Sequence, residues 1–181
     1  IIMIFVENFV KILKKNKVDF FTGVPDSILK NLSLYLENFS IKKHIIAANE
    51  GAAVSVGIGY YLSRKKIPCV YFQNSGLGNA INPLISIAHK EVYSIPLLLI
   101  IGWRGSPNQP DEPQHKAKGK ITKNLLQLLK VKHCVLKSEK DLLKLKNLIK
   151  ISYREKRIVA CLIEKNSLKI KKVKKKNKSR G

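Results

Sequence analysis

One carboxylate in this sequence stands out as a group that could transfer a proton. Glu50 lies within residues 47–53, between a strand-like apolar run and a helical segment that is almost without charge. Apolar surroundings shift the pKa of a carboxyl group, which makes such a group a candidate for proton transfer. The alternative is structural, because the macrodipole of a helix also stabilises an acidic residue at its first turn.

A second group of polar side chains follows the apolar run 95–102. Residues 103–119 include the single tryptophan and three prolines and show little periodicity, which predicts a long loop of the kind that is often functional. This segment holds Arg104, Gln114 and His115, and His115 is the only histidine outside a predicted helix or strand or its edge. The alternative is a mobile surface loop.

Two further turns carry residues suited to binding. Residues 22–27 read Thr-Gly-Val-Pro-Asp-Ser, in which Asp26 or Ser27 can cap a following helix. Residues 73–80 place two glycines at a helix start, where backbone amides could bind phosphate. Neither a complete G-x-G-x-x-G pattern nor a Gly-Lys-Ser/Thr phosphate loop is present. Simple turn chemistry would therefore also explain both segments.

Other common chemistries find no support in the sequence. No pair of residues has the spacing of metal ligands, and no Gly-x-Ser-x-Gly motif occurs, so we expect no metal site in this chain. The cysteines Cys69, Cys134 and Cys161 fit no zinc or redox motif and predict free thiols in a reducing cytoplasm.

The segments that must position these residues alternate between helical and strand-like patterns. About six strands alternating with helices predict an α/β fold with a doubly wound, mostly parallel six-stranded sheet and helices on both faces. Such sheets bind ligands at the carboxyl ends of their strands, where the four turns would meet. The predicted helices are 5–17, 26–39, 51–62, 76–89, 121–129 and 139–154; the predicted strands are 18–22, 44–48, 67–72, 95–102, 133–137 and 158–163.

Charge divides the chain into two unequal parts. The formal net charge is +23; residues 1–115 contain 12 basic and 8 acidic residues, whereas residues 116–181 contain 23 and 4. Nucleic acid is one interpretation of the basic part. We favour a solvated lysine-rich segment, because no aromatic residue lies among the tail lysines to stack on bases. The predicted domain is 3–165, with 166–181 a Lys-rich tail or truncated linker, and no apolar run approaches the roughly 20 residues of a membrane-spanning helix.

Five strings together resemble the thiamine-diphosphate-dependent decarboxylases, and among them the phosphonopyruvate decarboxylases with the neighbouring sulfopyruvate decarboxylases. The resemblance covers about residues 5–165 and only the pyrimidine-binding domain of the family, since the Gly-Asp-Gly motif that binds the diphosphate through Mg²⁺ is missing. It implies a complementing domain or β subunit and an oligomer that contains both halves. The strings are residues 22–27, 49–53, 71–83, 101–105 and 111–115.

The resemblance also implies roles for individual residues. Glu50 would hydrogen-bond N1′ of the aminopyrimidine and share a proton there, which favours the imino tautomer that activates the cofactor. Asn74, Ser75 and Gly76 would line the cofactor pocket. Asp26 and His115 match polar positions of the active site, with roles in proton transfer or in orienting the substrate.

Substrate recognition is expected to involve Asp26, Gln114 and His115, to which we add Arg104 because its guanidinium suits tetrahedral oxyanions. The implied reaction is decarboxylation of phosphonopyruvate to phosphonoacetaldehyde and CO₂, with thiamine diphosphate and Mg²⁺ as cofactors. Sulfopyruvate is the alternative substrate, and a catalytically silent basic module that binds nucleic acid is the alternative of another class.

Overall fold

A computed structural model describes residues 3–107 and 109–171 of the chain. Helices and strands alternate along it, as the hydrophobic pattern predicts. The first part contains β1 (Ile4–Phe5), α1 (Val6–Lys15), β2 (Phe21–Gly23), α2 (Lys30–Leu36), β3 (His44–Ile46), α3 (Glu50–Arg64) and β4 (Cys69–Gln73). The second part contains a 3₁₀ turn (Asn74–Gly76), α4 (Leu77–Pro83), a π-helical segment (Leu84–Ala88), β5 (Leu98–Trp103), α5 (Pro113–Leu128), β6 (Lys132–Leu136), a 3₁₀ turn (Glu139–Asp141), α6 (Leu142–Glu155), β7 (Val159–Glu164) and β8 (Leu168–Lys169).

The main sheet confirms the predicted architecture. Its six strands follow the order β3-β2-β4-β5-β7-β6, and every neighbouring pair is parallel. All six residues of β5 are buried, as expected for a central strand covered by helices on both faces. The carboxyl ends of β2, β3, β4 and β5 therefore lie side by side at one edge.

Two hydrophobic cores pack against the opposite faces of this sheet. Alternate residues of β5 divide between them: Leu98 and Ile100 join the core under α1, α2 and α6, and Leu99 and Ile101 join the core under α3, α4 and α5. This division follows from the two-residue period of a strand. The sheet is thus anchored on both faces, which fixes the positions of its strand ends.

The prediction of a long loop over residues 103–119 is wrong. Strand β5 continues through Trp103, and α5 begins at Pro113, where the fixed φ of proline suits the first helical position. The Trp103 indole nitrogen donates a hydrogen bond of 2.9 Å to the carbonyl oxygen of Gly119, which ties the helix to the strand end. His115, expected outside the regular elements, lies in the first turn of α5.

Two predicted helices also differ in extent. Residue 26 does not begin α2, because the Asp26 carboxylate accepts hydrogen bonds from the amides of Ile28 (2.6 Å) and Leu29 (3.1 Å) and holds them in a turn before Lys30. The helix predicted over 76–89 becomes α4 followed by a π-helical segment, and the change falls at Pro83, which has no N–H to donate.

A short two-stranded sheet was not predicted. Strand β8 pairs in parallel with β1, and Leu168 is buried between β1 and α2. The Asn31 side chain donates a hydrogen bond of 2.8 Å to the carbonyl of Leu168. The folded unit therefore extends at least to Lys169, beyond the predicted boundary at 165, and residues 172–181 of the predicted tail lie outside the described residues.

Candidate active site at the carboxyl edge of the sheet

A polar cleft of about 310 Å³ lies at the carboxyl edge of the sheet. It is formed by the turns after β2, β3, β4 and β5, so the edge predicted from the sequence holds a concave site. Four of the predicted site residues, Asp26, Glu50, Ser75 and Arg104, line it together. The remaining lining residues are Val24, Pro25, Ser27 and Gln73.

Glu50 is both the first residue of α3 and a wall of this cleft. The helix begins there because the Asn49 side chain caps it, accepting a hydrogen bond of 2.8 Å from the amide of Ala52. The half-buried Glu50 carboxylate accepts a hydrogen bond of 2.9 Å at Oε2 from Nδ2 of Asn79. Glu50 thus begins the helix, as the structural interpretation expects, and also lines the cleft, whereas its role in proton transfer stays a prediction.

The second carboxylate oxygen of Glu50 lies against the backbone of Gly76. A Cβ atom added at Gly76 would come within 2.1 Å of Glu50 Oε1, so a side chain at this position would require the carboxylate to move. Asn79 follows Gly76 by three residues and therefore lies on the same side of the chain one turn later. Gly76 and Asn79 together determine where the Glu50 carboxylate lies.

Asp26 lies across the cleft with one of its two oxygens unused. Oδ1 accepts the two amide hydrogen bonds of the turn before α2, whereas Oδ2 is buried and accepts no hydrogen bond from the described residues. Burial raises the pKa of Asp26, although the amides of Leu29 and Ile28 and the charge of Arg104 act in the opposite direction. Asp26 is therefore protonated more readily in the folded chain than an aspartate exposed to water.

Arg104 leaves the end of β5 and reaches the cleft from the opposite side. Its Nε lies 3.5 Å from Asp111 Oδ2, and about one third of its side chain is exposed. Burial of Asp111 opposes ionisation, but the amide of Glu112 and the guanidinium of Arg104 outweigh it and hold the pKa of Asp111 below its ordinary value. The ion pair therefore holds the Arg104 side chain beside the cleft.

Four predicted site residues are not among those that line the cleft: Asn74, Gly76, Gln114 and His115. Asn74 is buried, and its amide nitrogen donates hydrogen bonds to the carbonyl of Arg104 (3.0 Å) and to the hydroxyl of Thr122 (2.9 Å). Asn74 thereby joins the end of β4 to Arg104 and α5 and positions the backbone of Arg104, while its predicted contact with the cofactor stays a prediction. Gln114 is exposed, and the half-buried His115 has an Nδ1 atom without a hydrogen-bond partner among the described residues.

Sequence reasoning missed two residues that shape the cleft. Gln73 lines it and donates a hydrogen bond of 2.7 Å to the Ser75 hydroxyl, which fixes that side chain. Asn79 holds Glu50, and the signal for it was its three-residue spacing from Gly76 in the predicted helix.

In residues 3–107 and 109–171, no group of three or more His, Cys, Asp and Glu side chains is arranged to hold a metal ion. Within the same ranges, no helix combines the length and apolar character that crossing a bilayer requires.

Comparison with known proteins gives one family and two kinds of relative. Residues 3–132 match the family model described as thiamine pyrophosphate enzyme, N-terminal TPP binding domain. Phosphonopyruvate decarboxylase of Streptomyces viridochromogenes is 41% identical over 106 residues, which are 59% of this chain and 26% of that protein. Sulfopyruvate decarboxylase subunit alpha of Methanococcus maripaludis is 34% identical over 155 residues, which are 85% of this chain and 90% of that subunit.

A solved structure supports the fold. The thiamine diphosphate-dependent 4-hydroxybenzoylformate decarboxylase of Rhodococcus jostii RHA1 superposes with a TM-score of 0.61 at 18% identity, covering 88% of this chain and 29% of that one. The chain thus spans about a quarter to a third of the length of this enzyme and of the matched phosphonopyruvate decarboxylases.

Proposed function

Since the chain belongs to the thiamine pyrophosphate enzymes, whose N-terminal TPP binding domain it matches over residues 3–132, we propose that it forms the half of a decarboxylase active site that holds the aminopyrimidine ring of thiamine diphosphate. The observation that carries this proposal is the Glu50 carboxylate, which lines a cleft at the carboxyl edge of the sheet and is held there by Asn79. The relatives named phosphonopyruvate and sulfopyruvate decarboxylase support the reaction class.

The residues present fit the cofactor. Glu50 offers a carboxylate to a ring nitrogen, and the bare backbone of Gly76 leaves the space that this carboxylate occupies. Asp26 lines the same cleft and offers a further polar side chain there. When bound, thiamine diphosphate supplies an electron sink for the bond that breaks as CO₂ leaves.

The chain's own residues supply positioning and proton transfer. Glu50 shares a proton with the ring nitrogen, while Asn79 and Gly76 keep its carboxylate in place. Ser75 lines the cofactor pocket, and Asn74 supports it by holding the backbone of Arg104. Asp26, whose pKa burial raises, can carry the proton needed at the substrate carbon.

The substrate we propose is a 3-substituted pyruvate with a tetrahedral anion, phosphonopyruvate first and sulfopyruvate as the alternative. Arg104 lies where it can bind that anion. Gln114 and His115 stay predicted substrate contacts; the resemblance of residues 111–115 supports them, and their position in α5 outside the cleft does not.

The second half of the site belongs to a partner in this proposal. We assign residues 3–165 to the pyrimidine-binding domain, extended by β8, and assign Mg²⁺ and the diphosphate to a complementing domain or β subunit. The subunit alpha designation of the matched sulfopyruvate decarboxylases supports this division. We place the resulting oligomer in the cytoplasm, where the free thiols Cys69, Cys134 and Cys161 would stay reduced.

The test is decarboxylation by the enzyme as its own cells assemble it. An affinity tag on this chain would allow purification together with any partner subunit or further domain. We expect CO₂ release from phosphonopyruvate or sulfopyruvate that depends on added thiamine diphosphate and Mg²⁺. A preparation that decarboxylates neither compound would overturn the proposed function.

A further inference from the structure

A second cavity, of about 410 Å³, adjoins the candidate active-site cleft. The two share Ser27 and Arg104 as a common wall, so a molecule in the cleft could extend one end past Arg104 into the second cavity. Lys30, from the start of α2, and Lys165, from the turn between β7 and β8, line the second cavity as well. Neither lysine belongs to any string that carries the family resemblance.

The charges around this cavity favour an anion. Arg104, Lys30 and Lys165 supply three cations, and Asp111 supplies the single carboxylate. Asp111 already pairs with Arg104, whereas neither Lys30 nor Lys165 forms an ion pair with another residue of the described part of the chain. The cavity therefore keeps two positive charges that the protein does not neutralise locally.

Arg104 also keeps its best donors available. Its Nε faces Asp111, while its two terminal nitrogens donate no hydrogen bond to the residues that the structure describes. These terminal nitrogens form the planar fork that binds two oxygens of one oxyanion. The Asp111 ion pair thus orients the fork without occupying it.

The backbone that carries the lysines is held in place on both sides. Asn31, next to Lys30, donates a hydrogen bond of 2.8 Å to the carbonyl of Leu168. The carbonyl of Ser167 accepts a hydrogen bond of 2.9 Å from the amide of Ile4, which fixes the β7–β8 turn to β1. Binding an anion therefore requires ordering of two lysine side chains and not of the chain that bears them.

We propose that Lys30, Lys165 and Arg104 form the subsite for the tetrahedral anion at C3 of the substrate. This proposal rests on the proposed function and adds to it the two residues that select a phosphonate or sulfonate over an unsubstituted pyruvate. Two compact ammonium groups and one guanidinium fork match the several oxygens and the negative charge of such a group. Pyruvate carries no anionic group at C3.

The first test is direct binding of methylphosphonate to the full chain, followed by ³¹P NMR and calorimetry. We expect saturable binding that the double substitution Lys30→Ala and Lys165→Ala weakens about tenfold or more. The matched control is Lys146→Ala, because Lys146 is an exposed lysine of α6 that lines neither cavity. This variant should bind methylphosphonate like the wild-type chain. Absence of saturable binding, or equal weakening by the control, would overturn the subsite.

The second test uses the tagged enzyme with its partner. We expect the double substitution to raise KM for phosphonopyruvate or sulfopyruvate about tenfold and the control Lys146→Ala to leave it unchanged. If the double variant is active and its KM is unchanged, the subsite is rejected and the proposed function stands. If the wild-type enzyme decarboxylates neither compound, the proposed function itself is rejected. Inorganic phosphate should compete with the substrate; phosphate bound without competition would identify an effector site and reject the substrate assignment.

Discussion

Glu50 combines a helix-terminal position with a place in the cleft, and its proposed role depends on an exchangeable proton. Glutamine has nearly the same shape and can accept a hydrogen bond, but it cannot exchange a proton with a ring nitrogen. The Asn79 contact and the start of α3 should both survive this substitution.

The substitution Glu50→Gln should therefore lower kcat by about 10²–10⁴-fold, the range typical of lost acid–base catalysis. The measurement is CO₂ release by the tagged enzyme with its partner and saturating cofactor. Glu91→Gln is the matched control, since Glu91 forms an exposed ion pair with Lys130 away from the cleft. Retention of more than about a tenth of the activity by Glu50→Gln would exclude the proposed role.

Asp26 allows a test that does not require activity. Because burial raises its pKa, ionisation of Asp26 costs more free energy in the folded chain than in the unfolded chain. The stability that the protonated group contributes is present below the ordinary value of 3.8 and is lost as the pH rises through the folded-state value.

We therefore expect the melting temperature of Asp26→Asn to rise relative to the wild-type chain as the pH increases from about 4 to 7. Asn keeps the oxygen that accepts the amide hydrogen bonds of Ile28 and Leu29. Asp19→Asn, which breaks a surface ion pair with Lys66, is the control and should show no comparable trend. A wild-type advantage that grows with pH would contradict the assignment.

At the scale of elements, the site depends on how closely the starts of α3 and α4 approach each other. A Cβ at Gly51 would lie 2.9 Å from the carbonyl oxygen of Asn79, and a Cβ at Gly76 would meet the Glu50 carboxylate. Small residues at both positions let the two helices bring Glu50 and Asn79 into contact. This close approach is the structural meaning of the small residues that follow Glu50 in the sequence.

Alanine substitutions at two glycines of one segment test this approach. Gly76→Ala should displace the flexible end of Glu50, leave the fold intact and lower kcat at least tenfold. Gly78→Ala is the matched control: a Cβ there meets nothing within 4 Å, and alanine should stabilise the helix by up to about 1 kcal/mol. Thermal unfolding and CO₂ release measure the two effects, and equal activity of both variants would show that Gly76 does not position Glu50.

At the scale of the whole molecule, the described cleft is one wall of the proposed active site. In the proposed arrangement, the residues that bind the diphosphate and Mg²⁺ belong to the complementing half. Among the described residues, the isolated chain then offers the cofactor the polar groups around Glu50, Ser75 and Asp26.

Calorimetry should accordingly detect weak binding of thiamine diphosphate to the isolated chain, or none, and no increase in affinity on adding Mg²⁺. The same titration with the partner present is the control and should give tight binding that requires the metal. Tight, Mg²⁺-dependent binding by the isolated chain would show that the division between the two halves is wrong.

The basic charge of residues 116–181 leads to a separate expectation for polyanions. RNA should bind weakly, with an affinity that falls linearly with salt concentration on logarithmic axes. Deletion of residues 172–181 should weaken RNA binding and leave decarboxylation unchanged, since β8 and the proposed anion subsite precede the deletion. Sequence-specific RNA binding together with inactivity in every assembled state would favour the alternative of a silent basic module.

The sequence by itself determined the order of helices and strands, the parallel sheet and the edge that holds the cleft. These features follow from hydrophobic periodicity and capping, which act over a few residues, and from the rule that parallel strands need helical crossovers. Glu50 could be singled out as a candidate site residue because its position between an apolar strand and an uncharged helix can be read from neighbouring residues.

Only the tertiary structure decided which polar side chains meet. Asn74 binds Thr122 at a distance of 48 residues along the chain, and Asn31 binds Leu168 at a distance of 137. Such contacts depend on the order of strands in the sheet and on the packing of helices above it, which no local pattern contains. For the same reason Lys30 and Lys165, which look like ordinary surface lysines in the sequence, line one cavity with Arg104 only in the tertiary structure.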